Sequence, residues 1–266
     1  MSLVMERFLK YEKERASGLF LHQPMGTEIR TWSWKEAGDD ARRMAAALAA
    51  HGLKKGDKVA LLSKNCAEWL IADLAIMMGG YVSVPLYATI TAPTIRMLLE
   101  HSSAKAIIIG KLDNFDSQAE GLSADVAAIY IGAYGHKGSL LWEDLISKHN
   151  PLSEVHVAGR EEILTIMYTS GTTGRPKGVV HTAGNIDDTL EAASVIGIPM
   201  YPKIFSYLPL SHIAERIGIE MLGIYNGGIY HFAHTLESFA SDLQAVQPDI
   251  FFAVPRIWAK FREKVN

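Results

Sequence analysis

Short apolar segments alternate along this chain with longer segments that have the periodicity of amphipathic helices. The apolar segments are residues 57–63, 81–86, 105–109, 127–131, 163–168, 203–207, 228–232 and 249–252. In the second half, helices are predicted between or after them over residues 183–196, 213–225, 236–246 and 255–264. Strands that alternate with helices pair in parallel and are covered by helices on both faces. The pattern therefore predicts an α/β fold of layered, doubly wound, mostly parallel sheets with flanking helices.

Capping residues mark the ends of two helices in the first half. A helical pattern begins at Ser33 or Trp34 and ends at Gly52, since glycine is a common C-terminal stop. Asn65 is followed three residues later by Glu68, which predicts a capping box for the next helix.

Composition places the chain among globular proteins. Of its 266 residues, 48% are hydrophobic and 21% are charged, which excludes disorder and coiled coil as overall descriptions. The formal net charge is −3, with the two signs interspersed. Because this balance creates no extended positive field, no nucleic-acid partner is expected, and any bound phosphate must be held by local groups.

Several features predict a cytoplasmic location. The single cysteine, Cys66, cannot form an internal disulfide, as is usual in a reducing compartment. The first residues include charged Glu6 and Arg7 and lack the apolar core of a signal peptide. The uncharged stretch 74–95 contains adjacent glycines and Pro85, so it predicts a helix, a turn, a buried strand and a loop, not a membrane span.

A loop rich in glycine and hydroxyl residues, YTSGTTGRPKG at residues 168–178, directly follows an apolar segment. Gly171, Gly174 and Gly178 allow the backbone to approach an anion closely, so that successive N–H groups can converge on it. The hydroxyls add donors, and Lys177 adds a positive charge. The spacing fits neither the Walker A motif nor the dinucleotide fingerprint. These residues predict a polyphosphate-binding loop of another kind, with a flexible surface loop as the alternative.

The loop YTSGTTGRPKG resembles the signature loop of the adenylate-forming superfamily, which includes acyl-CoA synthetases, firefly luciferase and the adenylation domains of peptide synthetases. The segment YLPLSHIAER at residues 207–216 resembles the LPLxHxxER segment of long-chain fatty acyl-CoA synthetases, particularly the bubblegum-like branch. DIFFAVPRIW at residues 249–258 resembles a strand-to-helix turn of the same enzymes. DKVALLSKNCAEW and GGYVSVPLYAT are similar to early strands of the superfamily, so the resemblance covers nearly the whole chain.

The resemblance implies a long-chain fatty acid–CoA ligase that uses ATP, Mg²⁺ and coenzyme A. The fatty carboxylate would attack the α-phosphate of ATP to give acyl-adenylate and pyrophosphate, and the CoA thiol would then displace AMP to form the thioester. A carboxylate is already ionised at neutral pH, so the first step requires positioning and charge neutralisation, and no general base.

The site residues follow from the matching positions of the resemblance. Lys177 and His212 are the predicted catalytic residues, with His212 at the C-terminal mouth of a sheet, where ligands of α/β proteins bind. The alternative for His212 is a histidine that caps the start of its own helix. Thr172 is the predicted Mg²⁺ ligand. The residues predicted to bind the β- and γ-phosphates are Thr169, Ser170, Gly171, Thr172, Thr173, Gly174 and Lys177.

Three other side chains in these motifs have expected structural roles. Glu215 and Arg216 are expected to form a structural or a solvated pair, and Arg216 also to meet Glu220 one turn later. Trp258 is expected to bury its ring on the sheet, with a further role in the wall of an acyl tunnel as the alternative.

The superfamily's downstream motifs are not found by residue 266. They include a Y-G-x-T-E segment that stacks adenine, a T-G-D aspartate that holds the ribose, a hinge, and a small C-terminal domain with a catalytic lysine. The chain is therefore expected to be an incomplete N-terminal AMP-binding domain over residues 1–266, without the C-terminal lid. Its expected substructures are about residues 1–159 and 160–266, and little or no acyl-CoA formation is expected from the chain alone.

Two other functions share some of these features. Another carboxylate-adenylating CoA ligase, for aryl or medium-chain acids, would have the same loop but is disfavoured by YLPLSHIAER. A non-catalytic nucleotide-binding module is the second alternative. The expected partners of the favoured function are a fatty acid, ATP and CoA. A lipid substrate is compatible with peripheral contact to a membrane, although the sequence contains no evident anchor.

Overall fold

The computed structural model describes residues 1–169, 176–235, 237–255 and 257–258. Its strands are β1 (Leu19–Met25), β2 (Glu28–Ser33), β3 (Lys58–Leu62), β4 (Val82–Leu86), β5 (Ala104–Ile109), β6 (Ala127–Tyr130), β7 (Leu140–Leu141), β8 (Ile163–Thr169), β9 (Lys177–Thr182), β10 (Lys203–Ser206) and β11 (Ile229–Phe232). Its α-helices are α1 (Leu3–Glu14), α2 (Trp34–Ala50), α3 (Ala67–Met78), α4 (Ala92–Ser102), α5 (Phe115–Gln118), α6 (Trp142–Lys148), α7 (Ala183–Ala193), α8 (Ile213–Glu215), α9 (Leu222–Tyr225) and α10 (Phe239–Val246).

A seven-stranded sheet has the order β7-β6-β5-β3-β4-β8-β9. Its neighbouring strands are parallel except for β8 and β9, which form an antiparallel hairpin. The central strands are nearly continuous apolar runs, as expected for strands covered on both faces. The predicted class of doubly wound, mostly parallel sheets is confirmed by this arrangement.

A second sheet of four strands has the order β10-β11-β1-β2. The N-terminal strand β1 pairs in parallel with β11 and in antiparallel fashion with β2, so the two ends of the described chain meet in one sheet. The sequence patterns did not predict β1 or β2. Since β8 and β9 complete the other sheet, the predicted substructure boundary near residue 159 does not coincide with a division between the sheets.

Helix α3 lies between the two sheets. It contacts β3 and β4 of the seven-stranded sheet and β1 of the four-stranded sheet, and all of its residues are buried. Its sequence AEWLIADLAIMM is apolar around nearly the whole helix, as a helix enclosed on every side requires. The buried Glu68 and Asp73 are exceptions and need partners within the protein.

The predicted start of α2 at Ser33 or Trp34 is confirmed, whereas the capping box predicted for α3 is wrong. Ser33 and Glu36 form a reciprocal capping box at the start of α2. At α3 the N-cap is Cys66, without a side-chain cap. Glu68 instead accepts hydrogen bonds from Arg30 (2.9 Å) and Tyr134 (2.7 Å), and Asn65 bonds to the segment that follows β10.

The last predicted elements differ from the structure in detail. Residues 249–252 form no strand and contribute a single bridge, between Ile204 and Ile250. Helix α10 begins at Phe239, three residues later than predicted. The expected burial of Trp258 is wrong: the residue is 52% exposed, and its ring meets Phe251 edge-on at 5.6 Å between centroids. Most of the predicted helix 255–264 lies outside the described residues.

The uncharged stretch 74–95 folds as predicted. It comprises the end of α3, a turn at Gly79 and Gly80, strand β4, and a loop into α4. Within the described residues, the helices lack the combination of length and apolar character that a membrane span needs.

Candidate active site

Thr169 and Lys177 form the two ends of the predicted phosphate loop. They are cross-strand partners in the β8–β9 hairpin, so their side chains share one face at the carboxyl end of β8. Both are exposed, and a hydroxyl beside an ammonium group fits the phosphates of a nucleotide. The other predicted phosphate ligands, including the Mg²⁺ ligand Thr172, lie outside the described residues: Ser170, Gly171, Thr172, Thr173 and Gly174.

Asn65 joins the carboxyl end of β3 to the segment after β10. Its amide nitrogen donates to Ser206 Oγ at 2.8 Å and to the carbonyl of Leu208 at 2.7 Å. Its carbonyl oxygen accepts from the N–H of Leu210 at 3.3 Å. One buried side chain thereby fixes the YLPLS segment that leads to His212.

Lys111 makes a second connection between the sheets. It follows β5, and its ammonium donates to the carbonyls of Ala233 (3.2 Å) and His234 (2.9 Å), which follow β11. Burial lowers the pKa of Lys111. The carboxyl ends of strands from both sheets are therefore held together, in the part of an α/β fold where ligands bind.

His212 is exposed and caps the helix that begins at Ile213. Its Nδ1 accepts a hydrogen bond from the N–H of Ala214 at 3.2 Å. The capping contact considered from the sequence is therefore present. Because Nδ1 is the acceptor, the neutral ring carries its proton on Nε2. The cap thus fixes the tautomer that can donate to a carboxylate or phosphate oxygen.

Glu215 is completely buried and does not pair with Arg216. Its Oε1 accepts from Ser206 Oγ (2.7 Å), the N–H of Tyr207 (3.1 Å) and Asn65 Nδ2 (3.3 Å). Burial raises the pKa of Glu215 to about 8. The carboxyl group and Asn65 form one network that holds the segment between β10 and His212.

Arg216 is the centre of a buried charge cluster. Its guanidinium donates to Asp73 and to Glu220, each at 2.7 Å, and lies 4.9 Å from the centroid of the Trp69 ring. The expected contact with Glu220 is confirmed, and the expectation of a solvated pair is wrong. The signal that could have indicated this cluster is Asp73, the one aspartate within the otherwise apolar middle of helix α3. Residues Arg216–Met221 form a π-helical turn between α8 and α9, an irregularity frequent at functional sites.

An apolar groove of about 400 Å³ begins beside these residues. It lies between α7 and the helical run from α8 to α9, and its apolar lining includes Leu190, Ala193, Ile213, Ile217 and Leu222. Ile213 directly follows His212. His181, which also lines the groove, shares a face of β9 with Lys177 because strand side chains alternate. Burial, aided by the positive charge of Arg216, lowers the pKa of His181, so this wall of the groove is uncharged at neutral pH.

Comparison with known proteins gives the family. The model of the AMP-binding enzyme family matches residues 12–266, and the chain therefore belongs to this family of adenylate-forming enzymes. A peroxisomal long chain acyl-CoA synthetase of Arabidopsis thaliana is 31% identical over an alignment of 269 residues, gaps included, which covers 91% of this chain and 38% of that protein. A long-chain-fatty-acid–CoA ligase of Xenopus laevis is 30% identical over an alignment of 268 residues, which covers 92% of this chain and 36% of that protein.

The solved structures agree on the fold. A benzoate CoA ligase from Burkholderia xenovorans superposes with a TM-score of 0.84 at 23% identity, covering 97% of this chain and 51% of that chain. The predicted membership in the superfamily is confirmed by the family match. The chain spans less than half the length of the two curated relatives.

Proposed function

We propose that the protein is an ATP-dependent, AMP-forming long-chain fatty acid–CoA ligase, and that this chain supplies the phosphate loop and part of the acyl site. The observation that carries the proposal is the apolar groove. Its lining includes Ile213, which directly follows His212, and His181, which shares a strand face with Lys177. A carboxylate bound at His212 could extend its tail along the groove. Each buried methylene of that tail contributes about 0.8 kcal/mol to binding.

The residues would act on the first step by binding and orientation. The carboxylate oxygen forms a bond to the α-phosphorus of ATP as the bond to pyrophosphate breaks. Lys177 and Thr169 would hold the phosphates and offset the charge that develops on the departing pyrophosphate. His212 would donate Nε2–H to a carboxylate or α-phosphate oxygen. Thr172 is proposed to bind Mg²⁺, and CoA is the proposed acceptor in the second step.

The chain-length dependence of pyrophosphate exchange by the complete protein tests the substrate class. We expect palmitate to exceed octanoate and benzoate in kcat/KM, because only a long chain fills the groove. The position for a variant is Gly218, where an added Cβ would meet no atom within 4 Å and would project into open space at the groove. Gly218→Leu should lower kcat/KM for palmitate about tenfold or more and affect the shorter acids less.

Gly159→Leu is the matched control for Gly218→Leu, since Gly159 is a loop glycine outside the groove with room for a side chain. It should leave the order of the acids unchanged. If benzoate or a short acid were the best substrate of the unmodified protein, an aryl or medium-chain ligase would replace the proposed function. If no acid supported exchange, a non-catalytic nucleotide-binding function would replace the proposed one.

Lys177→Met should weaken binding of Mg·ATP to the complete protein roughly 10- to 100-fold, because a hydrogen bond to a charged group contributes about 1.5–3 kcal/mol. Isothermal titration calorimetry would measure the change. Lys105→Met is a suitable control, since Lys105 is also exposed on a strand but lies at the amino end of β5, the opposite edge of the sheet. Equal affinities of the two variants would rule out Lys177 as a phosphate ligand.

A further inference from the structure

Tyr168 is the buried residue that immediately precedes the phosphate loop. It stands next to Thr169 in β8, and the two side chains lie on opposite faces because strand side chains alternate. Tyr168 is 6% exposed and belongs to the core cluster that packs α4 on the seven-stranded sheet, with Leu98 and Leu99 of α4 among its members. The strand end from which the loop emerges is therefore anchored in the core.

The hydroxyl of Tyr168 reaches the last turn of α4. It lies 2.7 Å from Nδ1 of His101, and the two rings meet edge-on with 5.6 Å between their centroids. Burial raises the pKa of Tyr168, so the hydroxyl keeps its proton at neutral pH and can donate to the imidazole nitrogen. A hydroxyl on a buried ring needs such a partner. The hydrogen bond therefore fixes the direction in which the ring points.

His101 is held on a rigid part of the fold. Helix α4 ends at Ser103, whose φ of +55° turns the chain directly into β5 at Ala104. Strand β5 lies between β6 and β3 in the seven-stranded sheet. The partner of the tyrosine hydroxyl is thus tied to a central strand of the sheet.

The other end of the phosphate loop also meets the Tyr168 ring. Gly178 is the cross-strand partner of Tyr168 in the β8–β9 hairpin, so the two residues share a face. A Cβ at Gly178 would lie 3.4 Å from Cε1 and 3.5 Å from Cζ of the tyrosine ring, and 2.9 Å from Cγ2 of Ile166. Glycine at this position therefore lets the ring lie against both strands, on the face opposite Thr169 and Lys177.

We propose that Tyr168 and His101 are positioning residues for the phosphate loop. Their hydrogen bond holds the ring against Gly178 and keeps Thr169 and Lys177 at the spacing at which both reach the phosphates of the nucleotide. That this nucleotide is ATP rests on the proposed function, whereas the hydrogen bond and the packing do not. A displacement of about 1 Å can cost a binding or catalytic group about 100-fold in rate, so a contact on the far face of the strand can control the near face.

The KM values of pyrophosphate exchange by the complete protein test the proposal. Tyr168→Phe removes only the hydroxyl and should raise KM for Mg·ATP about five- to tenfold, with KM for palmitate changed less than about twofold. His101→Ala should give the same result, because it removes the other partner of the hydrogen bond. The double variant should resemble either single variant, since the effects of two residues that share one interaction do not add.

Two comparisons separate positioning from a purely structural role. His101→Asn places an amide near the position of Nδ1 and should bring KM for Mg·ATP back to within about twofold of the unmodified protein. A variant that only lowers the folded fraction lowers the maximal rate and leaves KM unchanged. Because His101 is exposed, water can reach the tyrosine hydroxyl in His101→Ala, and this variant is expected to fold.

Tyr81→Phe is the matched control. Tyr81 is 4% exposed and precedes β4 at the amino edge of the same sheet, opposite the edge that carries the phosphate loop. It should leave both KM values unchanged. Gly178→Ala tests the proposal from the β9 side: its methyl group would press on Ile166 and the Tyr168 ring, and it should also raise KM for Mg·ATP.

Calorimetric titration with Mg·ATP, without any acid, measures the same effect in the absence of turnover. The Kd should rise about five- to tenfold in Tyr168→Phe and in His101→Ala. Unchanged Kd and KM in both variants, or an equal change in Tyr81→Phe, would overturn the positioning role, and so would a failure of the unmodified protein to bind Mg·ATP. Binding that depends on the two residues, without exchange on any acid, would reject only the proposed ligase function.

Discussion

Replacing Arg216 with methionine should lower the free energy of unfolding by about 3–5 kcal/mol, because it leaves two carboxyl groups buried without their cation. The side chains of Arg216 and Asp73 are 0% exposed and that of Glu220 is 1% exposed, so water cannot take the place of the guanidinium. Urea denaturation at neutral pH would measure the loss. The loss should shrink in acid, where the carboxyl groups are neutral in the unfolded chain as well.

An exposed ion pair provides the control for the Arg216 prediction. Arg160 meets Asp188 at 2.7 Å, but the two side chains are 52% and 62% exposed. Arg160→Met should therefore cost less than about 1 kcal/mol. Adding Asp73→Asn and Glu220→Gln to Arg216→Met should recover part of the stability. A loss for Arg216→Met as small as that for Arg160→Met would contradict the assignment of a buried, mutually dependent cluster.

The sequence predicted the buried parallel strands well and the two N-terminal strands not at all. The segments that form β3 and β5 are short, apolar and flanked by helices, and runs of this kind have few alternatives to a buried strand. Strand β1, LFLHQPM, includes a histidine, a glutamine and a proline, and its parallel partner β11 lies at the other end of the described chain. Local patterns contain no information about such a distant partner.

The candidate site shows the same division between local chemistry and distant contacts. Residue type and spacing were sufficient to single out Lys177, since hydroxyls, glycines and a lysine after a strand have a specific chemistry. His212 was singled out by the resemblance of residues 207–216 to the LPLxHxxER segment. The pattern Asn65-x-x-Glu68 suggested a helix cap, whereas the fold uses Asn65 to hold a segment more than a hundred residues away. The groove could not be predicted, because α7 and the helices after His212 form it only when packed together.

Glu215 should make the protein less stable as the pH rises from about 5 to about 9. The pKa of this carboxyl group is raised from its ordinary 4.5 to about 8 by burial, so the folded state holds the proton more tightly than the unfolded state does. The stabilising contribution is complete below pH 4.5 and is lost as the pH rises through 8. Glu215→Gln keeps an oxygen to accept from Ser206 and Tyr207 and cannot ionise.

Glu215→Gln should therefore match the unmodified protein near pH 4.5 and exceed its free energy of unfolding at pH 9, by about 4–5 kcal/mol. Glu162→Gln should change the pH dependence in the opposite sense, because backbone and lysine hydrogen bonds lower the pKa of Glu162 to about 2 and its charged form is the stabilising one. Urea unfolding at several pH values would compare the three proteins. Parallel curves for Glu215→Gln and the unmodified protein would mean that the Asn65–Ser206–Glu215 network holds an ionised carboxylate. The segment that positions His212 would then be held by a charged Glu215 carboxylate and not by a neutral carboxyl group.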